Sequence, residues 1–555
     1  MANINWPTSP TLNQTYTSDS GVTWRWDGYA WVSLGGQSSS YTLPVATSSV
    51  LGGVKIGSGI TVDVNGTISV TGASGSSYTL PVATSSVLGG VKIGTGIGVS
   101  GDGTISTVYN EAKAIYVDAT YGNNTTAAKY APNRPYSTWT AAIAVAVSGD
   151  WIVFNPGSYS AAMTVVSGVN VYCKPGVQFS SGFTVSSAAT WRLHGFAEFT
   201  SSAPLNINTS GASHDIYFEF DRANLPSNFF NQNDLSSPMI KVFIKGNSIY
   251  CDRAFYLNSG SSGVTYNLTI DIAQIISGSG NRIIMCHGNF SVPAGPMYGS
   301  IVINCPIIES TSSDNARSIL YFMPNNTNNF MMRINSTLIR STSTSFTDSG
   351  DNNIAAMFWH GGGDNIVINA NVECGEIPCV ISYGQGTSQL TGNLTINGDI
   401  TSKREIVQQY VKLTNGNGWM DVIIKNGFIT SKGQGLSGSM FHRSGWSYFN
   451  GGVPGNTRLI NCVIYNQNLD SSATACIVRD NGPDVGKNNN FQFYNCLAFV
   501  ETSGFLASSS QAAKIVSMHN VRSNRPLDTT VTDGFSPTGI IVDASLTIPK
   551  SNINN

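Results

Sequence analysis

A short run of residues ending in Asn recurs along the second half of the chain and constrains its fold more than any other feature. Each copy is a few apolar or β-branched residues, a corner residue and a second short apolar run. Successive corners lie about thirty residues apart, within the range that marks solenoid repeats. Such a unit cannot bury its apolar face alone, but it can by stacking on copies of itself. The copies are Leu268–Asp271, Ile301–Asn304, Met332–Asn335, Ile366–Asn369, Leu394–Asn397, Ile423–Asn426, Arg458–Asn461, Gln492–Asn495 and Ser517–Asn520.

The corner residue is Asn in every copy except the first, which has Asp271. Stacked parallel strands place equivalent residues about 4.8 Å apart. An Asn amide carries both donors and an acceptor, so a column of Asn can hydrogen-bond from one repeat to the next. Asn also tolerates the left-handed backbone of a sharp corner. A general abundance of Asn in loops would not place it at one position, so we predict parallel strands joined by an Asn ladder.

Composition and charge exclude several classes of function. The chain has 555 residues, of which 11% are charged, and its net charge is −2, so we expect no nucleic acid partner held through phosphates. Hydrophobic residues make up 41%, enough for an ordered core. No apolar run is long enough to predict membrane insertion. No signal peptide is visible at the start, so we expect synthesis in a cytoplasm.

Two segments precede the repeats. Residues 1–36 are rich in Trp, and the alternation of Trp24 and Trp26 before Asp27-Gly28 predicts a small hairpin. Residues 37–112 contain a nearly identical repeat, Tyr41–Gly57 and Tyr78–Gly94, each copy followed by a predicted hairpin. One copy is too poor in apolar residues to fold alone, which favours three chains wrapped into a stem over a flexible spacer.

Residues 113–160 have the pattern of an entrance to the repeats. Ala114–Asp118 and Gly149–Phe154 predict strands, and between them residues 138–147 predict the one clear amphipathic helix, capped by Ser137 or Thr138. A helix here can cover the open edge of the first repeat.

The helix followed by Gly149-Asp150-Trp151-Ile152-Val153-Phe154-Asn155-Pro156-Gly157-Ser158-Tyr159 resembles the entrance of right-handed, pectate-lyase-like parallel β-helices. The stem repeats and the Trp-rich start resemble tail fibres and tailspikes of bacteriophages. The resemblance implies an all-β homotrimer, a right-handed parallel β-helix solenoid with an N-terminal β-rich trimeric stem and one capping helix. It also implies attachment to another virion tail protein through residues 1–36, a receptor-binding β-helix at 113–530 and a location in the virion. Beyond Asn520 the repeat pattern fades, and we expect residues 531–555 to form a C-terminal cap or tail.

In most repeats a strand leads into a long variable segment, and these exits should line one side of the molecule. Aromatic and polar residues concentrate there, as in sites that bind carbohydrate, where sugar faces pack on rings and hydroxyls need fixed partners. A trimer interface would favour the same residues, and both interpretations stay open. The candidate glycan-binding residues are His287, Tyr321, Trp359, His360, Tyr383, Tyr410, Arg443, Trp446, Tyr448 and Arg479.

Hydrolysis of a glycan would need two carboxyl groups. Glu219 and Asp221 lie two residues apart in a strand-like run, and Glu373 and Glu376 form a second cluster. Either pair could instead belong to a solvated outer face. His287 and His360 are too far apart along the repeats to share a metal ion, and we expect no metal and no cofactor.

The nine Cys residues include no CxxC pair. Most lie in strand-like runs and are interpreted as small buried hydrophobes, while Cys374 and Cys379 could pair. The sequence therefore predicts a phage receptor-binding protein for host cell-surface polysaccharide. The alternatives are a depolymerase that hydrolyses the same glycan, and a purely structural fibre; the missing catalytic motif slightly favours binding without cleavage.

Overall fold

The computed structural model describes a set of ranges separated by gaps, and every structural statement below concerns these residues. They are 5–35, 60–62, 68–70, 97–99, 105–107, 109–200, 203–208, 211–232, 239–259, 264–278, 282–288, 297–311, 319–323, 330–343, 356–359, 363–386, 392–413, 420–432, 439–443, 457–467, 475–480, 490–501, 504–509, 515–525, 535–536 and 540–545. The chain forms two compact units, Met1–Ile93 and Gly94–Asn555. The predicted stem, 37–112, spans both units.

The Trp-rich segment is a three-stranded antiparallel sheet of Thr15–Thr17, Thr23–Trp26 and Trp31–Ser33. The predicted hairpin is confirmed: Trp26 pairs with Trp31, and Asp27 Oδ1 accepts hydrogen bonds from the backbone N–H groups of residues 29 and 30. Trp6 stacks on Trp31 with ring centroids 5.5 Å apart. Within 5–35 only one side chain, Ser18, is buried, as expected for a sheet too small to enclose a core.

Both hairpins predicted in the stem are present as paired strands. Ile60–Val62 is antiparallel to Ile68–Val70, and Ile97–Val99 is antiparallel to Ile105–Thr107. The repeated segments Tyr41–Gly57 and Tyr78–Gly94 lie outside the described residues.

The rest of the molecule is built from parallel strands, in which each strand pairs with the equivalent strand one repeat earlier. They form a 25-stranded sheet and a 13-stranded sheet. The larger sheet contains two ladders, because long strands run through the corner between them. The all-β prediction is therefore confirmed for the described residues, with many parallel strands.

The first ladder precedes the corner in each repeat, the second ladder follows it, and the third ladder is the smaller sheet. Strands of the first ladder alone are Ala114–Val117, Trp151–Phe154, Asn170–Cys173, Ala189–Gly195, His214–Glu219, Met297–Asn304, Gly392–Asn397, Met420–Lys425, Thr457–Ile460 and Phe535–Ser536. Strands of the second ladder alone are Gly157–Tyr159, Val177–Phe179, Glu198–Phe199, Arg222–Asn224, Ile307–Ser310, Ile400–Ser402, Phe428–Ser431, Val463–Asn466 and Ile540–Val542. Strands that contribute to both are Ile240–Tyr250, Val264–Ser277, Phe330–Ser341, Gly363–Cys374, Asn490–Val500 and Ile515–Ser523. The third ladder consists of Met163–Thr164, Phe183–Val185, Leu205–Ile207, Asn228–Gln232, Arg253–Ser259, Ile284–Gly288, Leu320–Met323, Met357–Trp359, Val380–Gly386, Val407–Leu413, Ser439–Arg443, Ala475–Asp480 and Gly504–Ser509.

The predicted helix is present as Trp139–Val145, with Thr138 as its N-cap, after a single 3₁₀ turn at Glu111–Lys113. Its Trp139 ring is 4% exposed and stacks on Phe154 of the second strand of the first ladder, with centroids 6.0 Å apart and planes 10° from parallel. The helix therefore adds an aromatic layer to the first repeats, continuous with the core. The cap predicted at the other end is partly described: Ile540–Val542 pairs with Ile515–Ser523.

The predicted Asn ladder is confirmed. In a first column, Asn304 Nδ2 donates to Asp271 Oδ1 at 2.6 Å, and Asn335, Asn369 and Asn397 continue the chain of bonds at 2.8, 2.8 and 2.7 Å. In a second column, Nδ2 of Asn461, Asn495 and Asn520 donates to the corner residue one repeat earlier, beginning at Asn426, at 3.1, 3.2 and 3.0 Å. Each amide in the interior of a column thus donates to one neighbour and accepts from the next.

The prediction of a single register for all nine corners is wrong. Asn397 pairs with Lys425 rather than Asn426, so the second column is displaced by one residue. Its four Asn residues have positive φ, from 53° to 57°, whereas those of the first column do not. A left-handed residue has been inserted at the corner, where a Cβ on Gly427 would overlap the carbonyl oxygen of Gly398. Because Gly398 and Gly427 have no Cβ, the two backbones can approach closely where the extra corner residue is inserted.

A column of small polar residues ends the second ladder, and the sequence analysis missed it. Ser277, Ser310 and Ser341 are in register with one another, as are Ser402 and Ser431 further along. All are buried, and several bond a backbone carbonyl in the turn toward the third ladder: Ser431 Oγ donates to the carbonyl of residue 404 at 2.6 Å and Ser402 Oγ to that of residue 377 at 3.2 Å. Short hydroxyl side chains satisfy the turn's backbone where an apolar residue would leave it unpaired.

The described Cys residues are all buried and unpaired. The prediction of small buried hydrophobes holds for them. Cys374 and Cys379 are free thiols, and the hydrogen bond between them, with burial, raises the pKa of Cys374.

Candidate functional site

The third ladder gathers the strands that lead into the long variable segments. Seven of the predicted glycan-binding residues lie on it: His287, Tyr321, Trp359, Tyr383, Tyr410, Arg443 and Arg479. Tyr383 and Tyr410 are directly paired across the ladder, and so are His442 and Arg479. Except for Tyr321, only the backbone of these seven is described. His360, Trp446 and Tyr448 lie outside the described residues.

One register position of the third ladder points away from the core. It is occupied in successive repeats by Tyr256, Met285, Tyr321, Phe358 and Ile381, of which only the backbone is described for Phe358. Tyr256 is half-buried. Met285, Tyr321 and Ile381 are 6%, 4% and 1% exposed, yet none belongs to the continuous core cluster that contains their strand neighbours. This position, the outer column, is therefore enclosed at these three residues although it lies outside the core.

Arg282 brings a positive charge to the outer column. Its guanidinium lies over the ring of Tyr321, with Cζ 3.7 Å from the ring centroid, and burial raises the pKa of Tyr321 while Arg282 opposes the change. The contact is a cation–π interaction that holds the ring in one orientation. Arg282 was not predicted from the sequence, because it precedes its strand and belongs to no motif.

The first predicted carboxylate pair lies on the first ladder, away from the outer column. Glu219 Oε1 accepts from Lys245 Nζ at 2.9 Å, and Oε2 lies 3.2 Å from His194 Nδ1. Burial acts to raise its pKa, but these partners outweigh burial and lower the pKa to about 2. Asp221, in the corner that follows, accepts from Asn247 at 2.7 Å. An ionised Glu219 cannot donate the proton that a general acid supplies.

The second predicted pair is bonded to cations as well. Glu373 accepts from Arg340 Nε at 2.7 Å on the second ladder, and Arg340 also lies 3.6 Å from Glu309. Glu376 lies 2.6 Å from Lys403 Nζ. All four predicted carboxylates therefore have close polar partners, and none lies on the third ladder.

A stack of aromatic rings on the outer face of the first ladder was also missed. The His194 and Tyr217 rings lie 4.4 Å apart, and Tyr217 and Phe243 lie 5.2 Å apart with planes within 5° of parallel. Each ring packs against the face of its neighbour, so the ring faces on which a sugar would stack are largely covered. Tyr217 and Phe243 are paired in register, 26 residues apart, so the spacing of repeats could have revealed this pair. It could not have revealed the contact with His194, because Arg192 and not His194 pairs with Tyr217.

No group of three or more His, Cys, Asp or Glu side chains in the described ranges is arranged to hold a metal ion. Within the same ranges, no helix has the length and hydropathy needed to span a membrane. No family model, curated protein or solved structure matches the chain.

Proposed function

We propose that the chain is a virion-attached tail fibre or tailspike protein of a bacteriophage, whose right-handed parallel β-helix recognises a host cell-surface polysaccharide. The observation that carries the proposal is the alignment of the strands leading into the variable segments along one ladder. A rigid stack of repeats that presents its variable segments from one side is suited to an extended, repetitive ligand.

The β-helix assignment is supported by three ladders of parallel strands in fixed sequential order, by two Asn columns and by a terminal helix that covers the first repeats. Such a stack has an unpaired strand edge at each end. The helix at one end covers that edge and so prevents another strand from adding to it. The handedness assigned here follows the rule that parallel crossover connections are right-handed in the great majority of cases.

Binding without cleavage is favoured over hydrolysis by the charges around the candidate carboxylates. Glycosidases need one carboxyl group with a raised pKa as general acid. The low pKa of Glu219 is opposite to this requirement, and Glu373 and Glu376 are each held in an ion pair outside the third ladder.

A homotrimer is part of the proposal. The Trp-rich sheet, with one buried side chain, has too little core to be stable alone, and one copy of the stem repeat has too few apolar residues to fold alone. Three chains wrapped together would supply the missing contacts in the stem, and another virion tail protein would bind residues 1–36.

The test is to incubate the full chain with purified bacterial capsular polysaccharides and lipopolysaccharide O-chains. Retention of a polysaccharide without new reducing ends supports the proposal. Release of oligosaccharides would make the protein a depolymerase, and neither retention nor cleavage across a broad panel would favour a structural fibre. Sedimentation of the same preparation measures whether three chains associate.

A further inference from the structure

Aromatic side chains form a strip on the outer face of the first ladder, over its early repeats. The aromatic strip consists of Trp151, Tyr172, His194, Tyr217 and Phe243, one from each of five successive strands. None of the five belongs to the continuous core cluster, and all but the buried Tyr172 are half-buried. The His194 ring lies 5.9 Å from that of Trp151 and 4.4 Å from that of Tyr217. The strip is therefore a contiguous, partly exposed surface outside the core.

The aromatic strip is confined to these repeats. The residues that follow Phe243 in register are Thr269, Val302 and Arg333. If stacked rings were a requirement of the ladder itself, they would recur in the later repeats. A contiguous apolar surface that stays partly exposed marks an interaction site, and aromatic side chains are enriched in protein interfaces. The position of the strip thus indicates a contact made near the start of the ladder.

The predicted stem, 37–112, ends beside the aromatic strip. Tyr109, which belongs to the stem, packs onto the strip, its ring centroid lying 4.6 Å from that of Tyr172 and 6.4 Å from that of Trp151. The stem strand Ile105–Thr107 ends only two residues earlier, and two residues of extended chain span at most about 7 Å. A chain that wraps around the end of the stem therefore also comes close to the strip.

We infer that the aromatic strip is the surface through which the β-helices of the proposed homotrimer contact one another. The inference rests on the proposed function and names the face of the β-helix that meets a second copy of the chain. Three stems wrapped around one axis gather three strips at the point where the stems end, because each stem ends beside its own strip.

Two observations favour a second copy of the chain over a saccharide as the occupant of the strip. The rings pack against the faces of their neighbours, so they present mainly edges, whereas a stacked sugar needs a free ring face. The strip and the third ladder also use different strands of each repeat. A contact through the strip keeps the strands that lead into the variable segments out of the interface, where they can bind polysaccharide.

The experiment places the photo-reactive amino acid p-benzoyl-phenylalanine at Phe243 in one full-length protein and at Tyr250 in another. Both positions are aromatic and lie on the strand Ile240–Tyr250. Tyr250 is the matched control, because it is 48% exposed but lies on the second ladder. Each protein is irradiated and separated on a denaturing gel. We expect the probe at Phe243 to shift the band to the mass of two and three chains, and the probe at Tyr250 to leave it at the mass of one chain.

Sedimentation of the unlabelled protein separates failure of the inference from failure of the homotrimer. A trimer that gives no cross-link from Phe243, or an equally strong one from Tyr250, would overturn the inference and leave the homotrimer standing. A protein that sediments as a single chain would refute the homotrimer and the inference with it. If the protein labelled at Phe243 does not fold, Tyr217 carries the probe instead, and the same outcomes decide.

Discussion

The two Asn columns predict opposite effects of Ala and Gly at equivalent corners. Asn461 has φ 55°, and its amide bonds Asn426 at 3.1 Å and Asn495 at 3.2 Å. Asn335 makes the same two bonds, with Asn304 and Asn369, at 2.8 Å each, without a positive φ. Losing two hydrogen bonds costs about 1–3 kcal/mol at either site. The cost of the backbone conformation differs between the two sites. At Asn461, Ala in the left-handed region costs a further ~1–2 kcal/mol, whereas Gly adopts this conformation without that cost.

At Asn461 we therefore expect Ala to lower the free energy of unfolding by about 2–5 kcal/mol and Gly by only about 1–3 kcal/mol. At Asn335 the order reverses, because Gly in a regular strand costs about 0.5–1 kcal/mol more than Ala. Urea unfolding followed by circular dichroism measures all four variants, with unfolding rates as the readout if unfolding is irreversible. The same order of Ala and Gly at both corners would refute the assignment of two corner conformations.

Three further predictions follow from single contacts. Trp139→Ala should lower the free energy of unfolding by about 3–5 kcal/mol, because it removes the ring that stacks on Phe154, and limited proteolysis should then cut first near the helix. Ser431→Ala should destabilise the chain by about 0.5–1.5 kcal/mol in thermal unfolding, since it removes the 2.6 Å hydrogen bond that Ser431 Oγ donates to the carbonyl of Arg404. The ion pairs of Glu219 lower its pKa from 4.5 to about 2, so they stabilise the fold above pH 4.5 and this contribution disappears as the pH falls through 2. The stability gap between wild type and Glu219→Gln, measured by urea unfolding across this range, should close on acidification, and a gap that stays constant would contradict the assignment.

The features that could be predicted from the sequence are those that depend on residues close together in the chain and that recur from one repeat to the next. The helix Trp139–Val145 combines an N-cap with an amphipathic run. The Asn columns could be predicted because one residue type recurs at one position of the repeat. The displaced corner at Asn426 could not be predicted, because the motif still ends in Asn there. Only the pairing of Asn397 with Lys425, at the ends of two strands of equal length, shows that Asn426 is an extra residue at the corner.

The candidate carboxylates show why a site on stacked repeats cannot be read from neighbours in the chain. Glu219 and Asp221 are two residues apart and suggested an acid–base pair. Each is instead bonded to a residue 26 positions away, Glu219 to Lys245 and Asp221 to Asn247. The ladder makes the next repeat the nearest neighbour, so protonation is decided across strands about 4.8 Å apart and not along one strand. Residues that bond across repeats therefore hold the stack together.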